Sequence, residues 1–185
     1  MEQFLKSLGF LTNHEIQEVL SLCYSKTIKK GTFLIQEGQY AKEVAFVQSG
    51  IFRSFYTTQA GEEVTYCFMF PDHFVSAYSS FISGDPSIEN IQAITDVEML
   101  LLSKADIERI AENSLHLTKV LRYLAEQQFI EQERRIFLLQ REKAEFRYED
   151  LMKKNPDYFL QIPLQYIASY LGITQRHLSR IRAKF

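Results

Sequence analysis

The sequence has few of the side chains that bind metals or form disulfide bonds. It contains only two cysteines, Cys23 and Cys67, which lie far apart and belong to no Cys-x-x-Cys pair. This pattern argues against a disulfide framework and against a thiolate-held iron–sulfur cluster. The four histidines are scattered, with no His-x-His or His-x-x-x-His pair. We therefore predict no metal ion and no other cofactor.

Long apolar runs are also missing. No run of about 18 uninterrupted apolar residues occurs, the length that a transmembrane helix needs. The N-terminal residues MEQFLKSLGF do not combine a basic segment with a following apolar run, so they do not resemble a signal peptide. We expect a cytoplasmic protein that does not bind membranes. Its 46% hydrophobic residues are enough to form a core.

Acidic residues are absent from the C-terminal part of the chain. Residues 163–185 contain Arg176, Arg180, Arg182 and Lys184 but no Asp or Glu, although the chain as a whole has a net charge of −2. A small basic element on an otherwise acidic protein is typical of a surface that contacts nucleic acid phosphates. A solvated cationic tail is the alternative that charge alone leaves open.

The first part of the chain has the pattern of an antiparallel β-structure. Thr12 followed by Glu15 predicts the start of a short helix. After this helix, short runs rich in β-branched and aromatic residues alternate with glycine-containing turns. The predicted strands cover residues 32–36, 44–48, 51–57, 63–70, 88–93 and 97–103. This spacing indicates a β-roll of the barrel or jelly-roll type.

A long helix follows the predicted strands. Neither Gly nor Pro occurs between Ser87 and Asn155, and a helix from Ser114 to Gln140 would be about 40 Å long. Its apolar stripe is formed by Leu117, Val120, Leu121 and Leu124. Because this helix is longer than a small barrel, we expect its stripe to pack partly on the barrel and partly on a second copy of the chain. A pair of shorter core helices is the alternative.

The C-terminal segment has the pattern of a helix-turn-helix. Pro163 suits the first position of a helix, Gly172 suits a sharp turn with positive φ, and Thr174 suits the N-cap of a second helix. Ala168 is small where the two helices must approach each other. The apolar residues that two such helices would bury together are Ile167, Leu171, Ile173, Leu178 and Ile181.

The polar residues of the second helix would point outward, where Gln can pair with adenine and Arg with guanine. The residues predicted to contact DNA are Thr174, Gln175, Arg176, Ser179, Arg180, Arg182 and Lys184. A helical hairpin with a cationic face and no nucleic acid partner is the alternative. Taken together, the patterns predict an α+β fold with a β-roll sensor domain over 1–112, a dimerisation helix over 113–141 and a DNA-binding domain over 142–185.

Four runs of the sequence resemble the Crp/Fnr family of transcription regulators, which includes the cyclic AMP receptor protein. These runs cover residues 30–38, 44–53, 167–174 and 178–180. The resemblance implies a homodimer formed along the long helix, with RNA polymerase as a further partner. It also implies binding to double-stranded DNA with two-fold related half-sites about one helical turn apart. The base-contacting positions of the family correspond to Gln175, Arg176 and Arg180.

The sequence departs from the cyclic-nucleotide-binding members at the ligand cassette, which lacks their Gly-Glu pair and their arginine. The candidate effector pocket here consists of Ser76, Tyr78, Ser79, Ser80, Ser87, Glu89 and Asn90. Because Glu89 would repel a phosphate, we expect an unidentified small effector rather than cyclic AMP. We also expect no β-hairpin wing after the recognition helix.

Two other classes of function compete with a DNA-binding regulator. A cupin-type barrel enzyme would need clustered His and carboxylate ligands, and the scattered histidines argue against it. A ligand-sensing or protein-docking module of the same fold could use the basic face to bind another protein rather than DNA. We therefore predict a homodimeric, sequence-specific transcription regulator that is not an enzyme.

Overall fold

The computed structural model describes residues 1–154, 156 and 160–184 and has an α+β fold. The helices are α1 Glu2–Leu8, α2 Asn13–Ser21, α3 Tyr78–Ser83, α4 Lys104–Ala111, α5 Leu115–Arg141, α6 Ala144–Lys154, α7 Leu164–Tyr170 and α8 Gln175–Arg182. The strands are β1 Tyr24–Ile28, β2 Phe33–Ile35, β3 Glu43–Ser49, β4 Phe52–Thr57, β5 Glu63–Met69, β6 Phe74–Val75, β7 Asn90–Ala93 and β8 Val97–Ser103. No helix in these ranges has the combined length and apolar character that crossing a membrane requires.

The strands form two four-stranded antiparallel sheets with the orders β1-β8-β3-β6 and β2-β7-β4-β5. Apolar side chains from both sheets, among them Val47, Phe52, Ile91 and Met99, meet between them in a buried core. The predicted α+β fold with an antiparallel β-roll is therefore confirmed. The sequence pattern did not indicate β1, because four of its five residues are exposed and it lacks the expected alternation.

A glycine sets the sharp turn between β3 and β4. Gly50 has φ +89°, and a Cβ atom at this position would lie 2.2 Å from the carbonyl oxygen of Asp96. No side chain fits at such a distance, so only glycine allows the hairpin to approach the loop before β8. The turn brings Ile51 and Phe52 into the buried interior.

The N-terminal helices cover one end of the β-roll. Thr12 caps α2, since its hydroxyl accepts from the Glu15 N–H while the Glu15 carboxylate accepts from the Thr12 N–H. The predicted helix start is therefore confirmed. The Glu15 carboxylate also accepts from the hydroxyl of Ser114, the N-cap residue of α5, at 2.7 Å. This hydrogen bond joins α2 to the start of the long helix.

The predicted long helix forms as one element, α5, and the alternative of two shorter helices is wrong. The stripe was predicted to pack partly on the barrel and partly on a second copy, and the structure packs it within the chain. Leu117 and Val120 are 6% and 2% exposed in a core with α1, α2, α4 and the end of β8, and Leu121 and Leu124 pack against the same core. The apolar spacing correctly predicted burial. It could not show that the N-terminal helices, which fold back from far away in sequence, would be the partner.

A third core joins the C-terminal helices to the outside of the β-roll. Ile51, Phe68, Phe70 and Ile94 of the β-roll lie in the same buried cluster as residues of α6, α7 and α8. The predicted boundary near residue 112 falls between α4 and α5, and the one near residue 141 falls between α5 and α6. A shared core crosses these boundaries, because it contains residues of the β-roll and of α6, α7 and α8. The division into three domains therefore stays a prediction.

Candidate nucleic-acid interface

The C-terminal helices α7 and α8 are connected by a tight turn at Gly172. The φ angle of Gly172 is +66°, the left-handed conformation that the sequence predicted. The N–H groups of Gly172 and Ile173 donate to the carbonyls of Ser169 and Ala168, both at 3.0 Å. These bonds satisfy carbonyls at the end of α7 and turn the chain toward α8. Pro163 was predicted to be the first residue of the helix. It is instead the N-cap residue of α7, which begins at Leu164.

The two helices bury the apolar residues that the sequence singled out. Ile167, Leu171, Leu178 and Ile181 are at most 2% exposed, and Ile173 packs against them while partly buried. The N-cap residue of α8 is Thr174, whose hydroxyl accepts from the His177 N–H at 3.2 Å. This packing fixes which side of α8 faces the core, and hence which side faces solvent.

The solvent side of α8 carries the predicted DNA-contacting residues. Thr174, Gln175, Arg176, Ser179, Arg180, Arg182 and Lys184 are all exposed. Within residues 1–154, 156 and 160–184, no Asp or Glu forms an ion pair with any of the three arginines. Lys184 differs from them, because its Nζ atom lies 3.5 Å from the Glu145 carboxylate on α6. The guanidinium groups are therefore free to meet an anionic partner.

The serines of the predicted effector cassette mostly bond to the main chain. The Ser80 hydroxyl donates to the Asp85 carbonyl at 2.6 Å and accepts from the Ala41 N–H at 3.0 Å. The Ser87 hydroxyl donates to the Glu89 carbonyl at 2.7 Å. Both serines are buried. Their hydroxyls hold the loops of the β-roll in place, so the prediction that they bind an effector finds no support in this geometry.

The remaining residues of the cassette do not converge either. Ser76 donates to the Glu43 carbonyl at 2.9 Å, and the Asn90 side-chain oxygen accepts from the Glu37 N–H at 3.0 Å. Tyr78 and Ser79 are exposed on α3. The predicted pocket is therefore a set of loop-stabilising contacts together with one distinct group, the carboxyl of Glu89.

Glu89 is partly buried and bonded to a residue that the sequence analysis missed. The hydroxyl of Ser54 on β4 donates to the Glu89 carboxylate. Burial raises the pKa of Glu89 above its usual range. Burial also raises the pKa of Tyr66 to about 12 and that of Cys67 to about 11, and the nearby charge of Glu89 adds to both shifts. No local motif links Ser54 to Glu89, because the two meet only through the pairing of β4 with β7.

The exposed apolar surface of α5 lies further along the helix than the predicted stripe. Phe129 and Ile130 are 69% and 51% exposed, and Ile136, Phe137 and Leu139 are also exposed. Two shallow grooves run along this side of the helix and share Ile130. We call Phe129, Ile130, Ile136 and Phe137 the α5 patch. The sequence placed the dimer stripe at Leu117, Val120, Leu121 and Leu124 instead, because these four recur at helical spacing in the first turns of the helix.

Metal ligands do not gather in the part of the chain that the structure describes. There, no group of three or more His, Cys, Asp or Glu side chains is arranged to hold a metal ion. The two cysteines are both free thiols.

Comparisons with known proteins agree with this architecture. Residues 25–114 match the family model of the cyclic nucleotide-binding domain. A search of curated protein sequences gives no match. FixK2 from Bradyrhizobium japonicum superposes with a TM-score of 0.79 at 20% identity, covering 88% of this chain and 83% of that chain.

Two further solved structures resemble nearly the whole chain. A protein described as a transcriptional regulator of the Crp/Fnr family from Eubacterium rectale has a TM-score of 0.76 at 16% identity, covering 99% of this chain and 87% of that chain. CLP from Xanthomonas campestris, a c-di-GMP responsive global regulator, has a TM-score of 0.73 at 15% identity, covering 94% and 91%. The chain thus contains a domain of the cyclic nucleotide-binding type over residues 25–114 and has the fold of the Crp/Fnr transcription regulators.

Proposed function

We propose that this protein is a homodimeric transcription regulator that binds specific DNA sequences through α8. The observation that carries the proposal is the solvent side of α8, where Gln175, Arg176, Arg180 and Arg182 are exposed on a helix held by a buried core. Arg and Gln can read guanine and adenine edges in the major groove, while the remaining basic groups neutralise phosphates. RNA polymerase remains a predicted further partner.

The dimer of this proposal forms through the α5 patch. Phe129 and Ile136 are seven residues apart, as are Ile130 and Phe137, so the four side chains form one apolar strip along two turns of α5. Two copies of α5 packed along this face would remove these side chains from water. A two-fold dimer would also present two recognition helices to a two-fold related site.

This proposal does not include cyclic AMP as an effector, and an unidentified small effector stays a prediction. A cyclic nucleotide needs cationic groups or hydrogen-bond donors for the oxygens of its phosphate. The carboxyl of Glu89, bonded to Ser54, is unsuited to this role. Addition of cyclic AMP should therefore leave the melting temperature of the protein unchanged.

A DNA-binding titration over salt concentration, with two arginine variants, tests the proposal. We expect wild-type affinity to fall steeply between about 50 and 200 mM salt, because binding releases counterions. Arg180→Glu should abolish specific binding, whereas Arg109→Glu should not, since Arg109 lies exposed on α4 and pairs with Asp106 of the same helix. Equal binding by wild type and Arg180→Glu, or binding to an acidic protein but to no DNA, would contradict the proposal.

A further inference from the structure

The first helix of the helix-turn-helix contacts the open edge of a β-sheet. β5 is the last strand of its sheet, so one side of its main chain has no neighbouring strand. The Thr65 N–H on this strand donates to the Ser169 hydroxyl at 2.8 Å, and that hydroxyl donates to the Glu63 carbonyl at 3.2 Å. A single serine of α7 thus satisfies two main-chain groups that an edge strand would otherwise leave unpaired.

A buried arginine of the β-roll lies directly beneath α7. Arg53 is 1% exposed, and its guanidinium donates to the Thr65 hydroxyl at 2.9 Å and to the Glu63 carboxylate at 2.7 Å. The guanidinium carbon lies 3.8 Å from the ring centroid of Tyr166 on α7 and 4.2 Å from that of Phe55. A buried charge is tolerated only when its hydrogen bonds and its charge are satisfied, and Tyr166 completes this environment.

The long helix supplies a second arginine to the same contact. Arg135 donates to the carbonyls of Tyr170 at 3.0 Å and Thr65 at 3.4 Å. Its guanidinium carbon also lies 3.8 Å from the ring centroid of Tyr170, which in turn packs against Phe68. Helix α7 is therefore held by the β-roll and by α5 at once.

We infer that Arg53, Arg135 and Ser169 are positioning residues that set the distance between the two recognition helices of a dimer. Arg53 and Arg135 contact α7, and Ser169 of α7 contacts β5. Because α7 and α8 share one core, fixing α7 on the β-roll and on α5 also fixes the direction of α8. Because α5 carries the proposed dimer contact, the direction of α8 relative to α5 determines the spacing of the half-sites that both copies reach together. This inference rests on the proposed DNA-binding function.

DNA duplexes whose half-sites differ in spacing by single base pairs test this inference. The half-site comes from sequences selected with the wild-type protein. We expect wild type to prefer one spacing by roughly a hundredfold over duplexes whose half-sites cannot be reached together. The double variant Tyr166→Leu and Arg135→Gln should keep its affinity for a single half-site, whereas its preference among spacings should fall to about tenfold or less. The matched control, Tyr40→Leu and Arg109→Gln, changes exposed residues outside the contact and should retain the wild-type preference.

A second measurement tests the contact without DNA. Hydrogen exchange of the Thr65 amide should be slow in wild type and faster in Ser169→Ala, a milder change than the double variant. An unaltered spacing preference in the double variant would overturn the inference, as would rapid exchange at Thr65 in wild type. Failure of wild type to bind any DNA would instead contradict the proposed function, and the exchange measurement would still decide whether α7 is docked.

Discussion

Arginines in this chain occur in two environments that suit opposite roles. Arg176, Arg180 and Arg182 are exposed, and none is ion-paired with an acidic residue in the described part of the chain. Arg53 is buried, bonded to Glu63 and enclosed by aromatic rings. A solvated guanidinium keeps its donors available for a base or a phosphate, whereas a buried one contributes to the internal structure.

Hydrogen bonds to the Glu15 carboxylate lower the pKa of Glu15 to about 2. The largest cause is the Thr12 N–H, followed by the hydroxyl of Ser114. Because the folded pKa lies below the unfolded value, the stabilisation is present above about pH 4.5 and is lost as pH falls toward 2. Glu15→Gln, which places an amide NH₂ among these donors, should lower the free energy of unfolding by about 1 kcal/mol at pH 7.

Urea denaturation of the two proteins from pH 7 to pH 2 checks this expectation. The difference in free energy of unfolding should shrink as the wild-type carboxylate becomes protonated. A difference that stays constant over this range would show that the charge of Glu15 does not stabilise the cap.

Residue-level features were predictable where the partners are close in sequence. Thr12 and Glu15 lie three residues apart, and so do Thr174 and His177, so each cap could be read from a short window. The bond between Ser54 and Glu89 could not, because it depends on how β4 and β7 pair. The polar residues of the cassette lie close together in sequence, but no local pattern shows that Ser80 and Ser87 bond to main-chain groups.

At the level of elements, α5 divides into two halves with different surroundings. Its first turns pack on α1, α2 and α4, whereas the α5 patch faces solvent. Sequence periodicity established the helix and its length. It did not assign the partner of each half, because apolar spacing is the same whether a helix buries its side chains in its own chain or in another.

The α5 patch predicts a specific effect on assembly. Ile130→Glu places a charge where two copies would pack, and hot-spot changes of about 2 kcal/mol or more correspond to a dimer dissociation constant raised at least roughly 30-fold. Sedimentation velocity measures this directly. Ile88→Glu is the matched control, since Ile88 is an exposed isoleucine on the β-roll. A dimer of unchanged stability in Ile130→Glu would place the interface elsewhere.

The turn between α7 and α8 gives a prediction about stability. Gly172→Ala forces a side chain into a left-handed conformation, which costs about 1–2 kcal/mol. The new Cβ would lie 3.6 Å from the nearest atom of Leu139, so no steric clash adds to this strain. Gly172→Asn should be milder, because Asn adopts this conformation more readily. Urea midpoints should rank wild type first, Asn second and Ala last, and an Ala variant as stable as wild type would contradict the strain.

In the molecule as a whole, the β-roll and the helix-turn-helix are joined, because the outer surface of the β-roll forms part of the core of the helix-turn-helix. Ile51, Phe68 and Ile94 belong to the β-roll but pack with Ile167 and Leu178. The order of parts was predictable, because strands, long helix and helix-turn-helix each have their own sequence pattern. Their docking was not, because the contacts of Arg53 with Tyr166 and of Thr65 with Ser169 join residues about a hundred positions apart.

In the proposed dimer, two copies of α8 read a two-fold related DNA site. Selection of bound sequences from a random double-stranded pool by the purified protein tests it most directly. We expect enrichment of an inverted repeat whose half-sites lie about one helical turn apart. Parallel selection with Arg180→Ala should relax the preference at one position of each half-site. A pool that remains random after repeated rounds at moderate salt would contradict the claim.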